Sequence, residues 1–365
     1  MKILYAAVII LLLGACSDKE NGMWTVDLDN KQNISVFDIF KKIEVVQLEA
    51  NEESVFRYID NIMCVDDCYF ILDSRSFAIF VFNKEGKFKY KISNKGSGPD
   101  EYSYIASFTI DEKNSELLLL DGMRSEVNCY SLAGTFKRKI KLPDLTHAAY
   151  QTIGLLNSEL LVFYSTTNKD GRIIYYSVPE QRILNQYMPE QHNFVFSSVS
   201  TLNNRYYARS FSNEVYKLGE NGPELAFKWN FGIENNETLL NEKLNTWEET
   251  LDFHKRILNS EILDYVLSNQ LSSNHLNYVK VLYKGAFLNL FYNRQEHKYQ
   301  LCEKFREGVD IYPGFMTDKY MIGINDETGN SLVLTNKILD ANEQRKLECL
   351  GDESNPILVK YYFKD

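Results

Sequence analysis

Five basic residues stand at matched distances ahead of a ring or an apolar side chain. Arg75, Lys169, Arg209 and Arg294 each fall seven residues before Phe82, Tyr176, Tyr216 and Leu301, and Arg124 falls six before Tyr130. Gathered at one place, such groups form a positive funnel that holds carboxylate or phosphate through charge-assisted, partly bidentate hydrogen bonds. The bland alternative is that exposed loops often carry Lys or Arg. Other chemistry is sparse. His147, His192, His254, His275 and His297 form neither HxH nor HExxH, so a helical zinc-protease site is excluded. No Gly-x-Ser-x-Gly elbow occurs, and Gly96-Ser97-Gly98-Pro99 lacks the Gly and Lys of a phosphate loop. Asp73 and Asp121 recur at equivalent positions, which suits carboxylates accepting backbone N–H groups of the next turn better than a unique acid or base. No catalytic residue, metal ligand or cofactor is assigned.

The N-terminus speaks of location. Lys2 is followed by an apolar run over residues 3–13 and then Leu13-Gly14-Ala15-Cys16. That is the order of a secretory signal, and the run is too short to span a bilayer. Leu-Gly-Ala-Cys resembles the bacterial lipobox, which makes Cys16 the lipidated first residue of a mature lipoprotein. Residues 1–15 are then a signal peptide and 16–23 a tether. Ser17-Asp18-Lys19-Glu20 resembles the export signal of surface lipoproteins in Bacteroides, so the expected place is the outer membrane, facing the periplasm or the exterior.

Losing Lys2 moves the net charge from −10 to −11. An acidic chain argues against nucleic acid as a partner and leaves membrane attachment to the acyl chains. Five cysteines remain after Cys16, an odd number that rules out a fully paired disulfide scaffold. Cys64 and Cys68 read as two strand-end thiols, with a hairpin disulfide as the alternative.

The elements that would position these residues follow from a repeat. Residues 59–92 and 107–140 superpose without a gap at an offset of 48: Asp73 on Asp121, Phe82 on Tyr130, Gly86 on Gly134, Phe88 on Phe136. Each copy reads as four short strands, and Gly86 supplies the positive φ of a tight turn. Four strands in 40 to 50 residues mark a propeller blade. Weaker copies continue over 160–188, 205–231, 286–305 and 320–363, giving six. The fold class is all-β: one six-bladed β-propeller over residues 24–365 with a helical insertion. Closure is expected from 356–363 pairing with the arm around 43–48. The insertion spans about 236–271, where Leu240, Leu244, Trp247, Leu251, Leu258, Ile262 and Val266 keep helical spacing. Asn235 or Asn236 would cap its start and Asn259-Ser260 would divide it. Another helix is expected at 341–349, begun by Asp340 and Glu343 at capping-box spacing.

Lys95-Gly-Ser-Gly-Pro-Asp-Glu-Tyr102, with Phe108-Thr-Ile-Asp111 and Val127-Asn-Cys-Tyr130, resembles the NHL-type repeat. The chain as a whole is similar to the six-bladed propeller lipoproteins of Bacteroides and its relatives. That resemblance implies the fold and not an activity. Aligned on blades, the five basic residues all fall in the loop joining the second and third strands, near the central channel. The leading expectation is a noncatalytic binding or scaffold lipoprotein whose loop face, with aromatics such as Tyr102, Tyr104 and Phe211, takes an anionic glycan or a protein partner. The alternative is a metal-dependent hydrolase or lyase acting on carbohydrate or ester in the channel. An envelope assembly factor using the insertion as its contact is a third.

Overall fold

The computed structural model describes residues 22–145, 150–165, 167–168, 170–189, 201–203, 205–208, 211–236, 242, 244–325, 337–348 and 354–364. An N-terminal arm comes first, with β1 (Met23–Thr25), α1 (Val36–Ile39) and β2 (Phe40–Val46). Blade I is β3 (Asn61–Val65), β4 (Cys68–Asp73), β5 (Ala78–Asn83) and β6 (Phe88–Ile92). Blade II is β7 (Ser107–Asp111), β8 (Glu116–Asp121), β9 (Glu126–Ser131) and β10 (Phe136–Lys141). Blade III is β11 (Thr152–Asn157), β12 (Leu160–Tyr164), β13 (Ile173–Ser177) and β14 (Arg182–Tyr187). Blade IV is β15 (Thr201–Asn203), β16 (Tyr206–Ala208), β17 (Glu214–Gly219) and β18 (Gly222–Asn230). Helix α2 (Trp247–Leu258) precedes blade V, which is β19 (Tyr265–Ser272), β20 (Leu276–Tyr283), β21 (Ala286–Asn293) and β22 (Lys298–Cys302). Blade VI is β23 (Pro313–Met316), β24 (Tyr320–Asn325) and, after α3 (Ala341–Glu348), β25 (Ile357–Phe363).

Six antiparallel sheets result, and the first strand of each touches the first strand of the next until β23 meets β3. The ring is closed. Its core is a set of six seams between blades. Phe70, Leu72 and Val81 of blade I meet Phe108, Leu117 and Leu119 of blade II, and Ile322 and Leu358 of blade VI meet Ile71 and Phe80 of blade I. A blade buried on both faces needs near-continuous apolar strands rather than alternating ones, which is why Cys68–Asp73 and Glu116–Asp121 are buried throughout.

The repeated residues do repeated work. Asp73 accepts the N–H groups of Arg75 and Ser76, and Asp121 those of Met123 and Arg124. Asn83 accepts from Glu85 and Lys87 while Ser131, its counterpart, accepts from Ala133 and Thr135. Gly86 and Gly134 take φ of +81° and +83°. A Cβ on Gly86 would also lie 2.0 Å from the Gln47 carbonyl oxygen, so that turn admits only glycine.

Closure follows the expected strands. β2 becomes the outermost strand of blade VI, with Ile43 opposite Tyr361 and Val46 opposite Leu358. The free edge of β2 is covered by α3: Glu343 accepts the Val45 N–H and Lys346 donates to the Val45 carbonyl. Satisfying an outer edge in this way removes a template for aggregation. Asp340 begins α3 by accepting the N–H groups of Asn342 and Glu343, but Glu343 reaches β2 rather than returning to complete a capping box.

The arm does more than its sequence announced. β1 pairs in parallel with β18 as a fifth strand of blade IV. The Gln32 N–H then donates to the Leu301 carbonyl, and the Arg306 N–H to the Ile34 carbonyl, along blade V. One strap thus crosses three outer edges. Glu307 fastens it, accepting the Ser35 hydroxyl at 2.5 Å and the Val36 N–H at 2.9 Å. Burial pushes the Glu307 carboxyl up, but those donors outweigh it and hold the carboxyl below its ordinary range. A carboxylate with a lowered folded-state pKa stabilises above its unfolded pKa, and that gain is lost as pH falls through the folded value. Glu307→Gln should therefore cost on the order of 0.5–1 kcal/mol at neutral pH. The gap to wild type should vanish in acid denaturation below the carboxylate range; a gap that persists there would contradict the clasp.

Two expectations need correction. Among the described residues the helical part of the insertion is α2, begun by Thr246 in a capping box with Glu249 and ended at Asn259; neither Asn235 nor Asn236 caps it. Residues 265–271 are not helical but belong to β19, the innermost strand of blade V. A bulge between Ser268 and Leu271, with Asn269 at φ +48°, breaks the alternation there, leaving apolar residues at intervals that mimic a helix. Without β19 and β20, the sequence reading gives blade V two strands instead of four. The strand expected at 331–335 lies outside the described residues.

Candidate functional site

In each antiparallel blade, the hairpin between second and third strands shares a face with the connection to the next blade. This is called the upper face; the first and third hairpins form the lower face. Arg75 and Arg124 lie in upper hairpins, between β4 and β5 and between β8 and β9. Arg294 does not. It lies between β21 and β22, a third hairpin of blade V, so it occupies the lower face and leaves the expected funnel. Lys169 and Arg209 lie outside the described residues.

The three described cations differ in what holds them. Arg294 is enclosed: it donates to the Tyr206 hydroxyl at 2.9 Å and the Asn277 side-chain oxygen at 2.7 Å, and lies 4.9–5.6 Å from the rings of Tyr206, Trp24 and Phe227. It joins blade IV, blade V and the arm. Arg124 is half-buried and donates to the Gly96 and Glu101 carbonyls at 2.8 and 3.2 Å, with its Nε 4.0 Å from Asp121. It pins the 95–102 loop between blades I and II. The Glu101 carboxylate accepts the Gly98 N–H at 2.6 Å, so that glycine-rich loop is a turn held by its own residues.

Arg75 is different. Its guanidinium lies over the Tyr58 ring at 3.4 Å and makes no hydrogen bond or ion pair with any described residue. Lys95 repeats the arrangement: its ammonium lies 3.2 Å over the Phe77 ring, likewise with no polar partner among the described residues. Tyr104 meets Phe77 edge-on at 6.2 Å, and the Tyr102 hydroxyl donates to the Phe77 carbonyl. A cation resting on a ring gains about 0.5–1 kcal/mol of attraction while keeping its N–H groups for a ligand. The upper face of blades I and II thus carries two seated, polar-unpartnered cations among three exposed or half-exposed rings. Asp60, which accepts the Ser74 N–H, and Asp100 are nearby acids.

Lys95, Tyr58 and Phe77 were missed as site residues. Tyr58 is seventeen residues from Arg75, in the lead-in to β3, and nothing in its spacing marks it. Lys95 enters the sequence reading only as the first residue of the NHL-like motif, and it stands eighteen residues from Phe77.

A family profile described as "Domain of unknown function (DUF4934)" matches residues 23–362. The chain belongs to the DUF4934 family. No curated protein matches it. Among solved structures, a Bacteroides fragilis NCTC 9343 protein assigned as exported matches this DUF4934 chain at 18% identity and a TM-score of 0.73, over 94% of this chain and 100% of that one. A member of the DUF4221 family from Bacteroides vulgatus ATCC 8482 matches at 9% identity and 0.53, over 89% and 97%. Both likenesses show the fold.

Elsewhere in the DUF4934 ring, the channel holds a cavity of about 550 Å³ whose lining includes Asn61, Thr109, Thr152 and Asn157. Among the described residues no three His, Cys, Asp or Glu side chains gather where they could hold a metal ion. Cys64, Cys68, Cys129 and Cys302 are free thiols. Burial pushes Cys64 and Cys302 up to about 12 and Cys129 up to about 11, so these three stay protonated and inert at neutral pH.

Proposed function

We propose that this DUF4934 propeller is a cell-envelope lipoprotein, anchored through Cys16, that binds an acidic glycan noncatalytically on its upper face. The observation that carries the reading is the pair of seated cations, Arg75 on Tyr58 and Lys95 on Phe77, with no carboxylate among the described residues taking them. Guanidinium grips a carboxylate with two parallel hydrogen bonds, and exposed rings such as Tyr104 offer a flat apolar surface for a sugar. Arg124 holds the loop that carries Lys95. Lipidation rests on the Leu13-Gly14-Ala15-Cys16 sequence; among the described residues no helix is long and apolar enough to cross a membrane.

Unlipidated Cys16→Ser protein should leave the membrane fraction and bind a polyuronate such as polygalacturonate. Arg75→Ala/Lys95→Ala should weaken that binding at least tenfold, and wild-type binding should fall as salt rises. Equal affinity in the double variant, or equal binding of a neutral glucan, would overturn the reading.

A further inference from the structure

A second cation site opens on the other side of the ring, where blade VI meets blade I. The closing strand β25 presents Lys360 toward blade I. Its ammonium lies 4.3 Å from the Tyr320 ring, 5.4 Å from Tyr362 and 5.8 Å from Tyr69. No described residue gives it a hydrogen bond or an ion pair. Glu44 stands directly across the ladder from Lys360, but its carboxylate is taken by Lys42 at 2.9 Å and by the Tyr362 hydroxyl at 3.1 Å. The Tyr69 hydroxyl is buried without a hydrogen-bond partner among the described residues.

Lys360 and Tyr362 line a cleft of about 740 Å³ between β2 and the β5–β6 hairpin, which also receives Lys84, Lys87 and Gln47 and the carboxylates of Glu44, Glu49 and Glu85, Glu49 accepting the Phe88 N–H. Lys84 is engaged by Asp67 and Lys346 by Glu343; Lys87, like Lys360, has no partner for its ammonium among the described residues. A half-buried ammonium has lost part of its water and gains little from rings alone, so an anion entering the cleft meets a charge not yet answered. Ring faces beside it favour a ligand that is flat and apolar next to its charge.

We propose that this cleft is a separate site for a monomeric sugar acid, its carboxylate on Lys360 and its ring against Tyr362. The site does not depend on the upper-face patch. Cys16→Ser protein should bind glucuronate, followed by isothermal titration and by tyrosine fluorescence, and should bind glucose at least tenfold more weakly. Lys360→Met should weaken glucuronate at least tenfold. Lys87→Met, on an exposed hairpin where folding is not at stake, should weaken it about threefold, and raised salt should weaken it in the wild type. Arg75→Ala/Lys95→Ala should leave it unchanged, which separates this site from the other. Absent glucuronate binding, undiminished binding in both lysine variants, or equal binding of glucose would overturn the proposal.

Discussion

A chain that stops at residue 353 should not fold at all. β25 is a middle strand of blade VI, paired to β24 on one side and to β2 on the other, so its loss strips both neighbours of their ladders. It carries Ile357, Leu358, Val359, Tyr361 and Phe363, each 8% exposed or less. Leu358 packs into the seam with blade I and Val359 into the seam with blade V. Five such side chains at about 1.5–3 kcal/mol each approach or exceed the 5–15 kcal/mol that holds a typical domain together. Asn355 goes with them, and its side chain takes the Phe56 N–H and donates to the Glu49 and Ser54 carbonyls, fixing the lead-in to blade I. The expected result is loss of the near-ultraviolet circular dichroism and of any cooperative melt. A truncated chain with the wild-type melting temperature would refute ring closure.

Asp310→Ala should be the most damaging single substitution of a polar side chain. Lys280, on β20, has a side chain only 5% exposed, and its ammonium lies 2.8 Å from Asp310, 3.3 Å from the Ile311 carbonyl and 3.7 Å from the Tyr312 ring. Asp310 also accepts from Asn289, whose own oxygen takes the Tyr278 hydroxyl. Removing the carboxylate leaves a buried unpaired charge, a loss of about 3–5 kcal/mol. Lys280→Met removes the charge with its stem retained and should cost far less. Burial already holds the Lys280 amine below its ordinary range, against the pull of Asp310. Where the folded-state pKa of an amine is lowered, the unfolded chain binds more protons, so stability rises with pH through that window. Loss of Asp310 widens the window, and the deficit of Asp310→Ala should shrink between pH 7 and pH 10 in urea titrations. A deficit below 1 kcal/mol at pH 7, or one that grows with pH, would contradict this account of the pair.

What the sequence disclosed follows the physics of each segment. Blades I and II were legible to the residue because their turns demand particular chemistry: Asp73 and Asp121 to hold one hairpin, Gly86 and Gly134 to reverse the next. The closing strands were legible because an unpaired end would leave an edge. Blade V was not, because the Asn269 bulge disrupts the period on which strand reading depends, and that error carried Arg294 to the wrong face. The strap over residues 22–39 was silent too. It holds the blades largely through main-chain groups, such as Gln32 to Leu301, which leave no pattern in side-chain identity. At the site, charge was visible and its seating was not: Arg75 was found by register, whereas Tyr58 and Phe77 act through contacts that no spacing encodes.

The central claim is that the upper face of blades I and II takes an acidic glycan. Hydrogen exchange of the Cys16→Ser protein, with and without oligogalacturonate, tests it most directly. Protection should rise in the 74–77 hairpin and the 94–104 connection while the lower-face hairpin at 294–297 stays unchanged. Protection confined to the lower face, or none at saturating ligand, would contradict it.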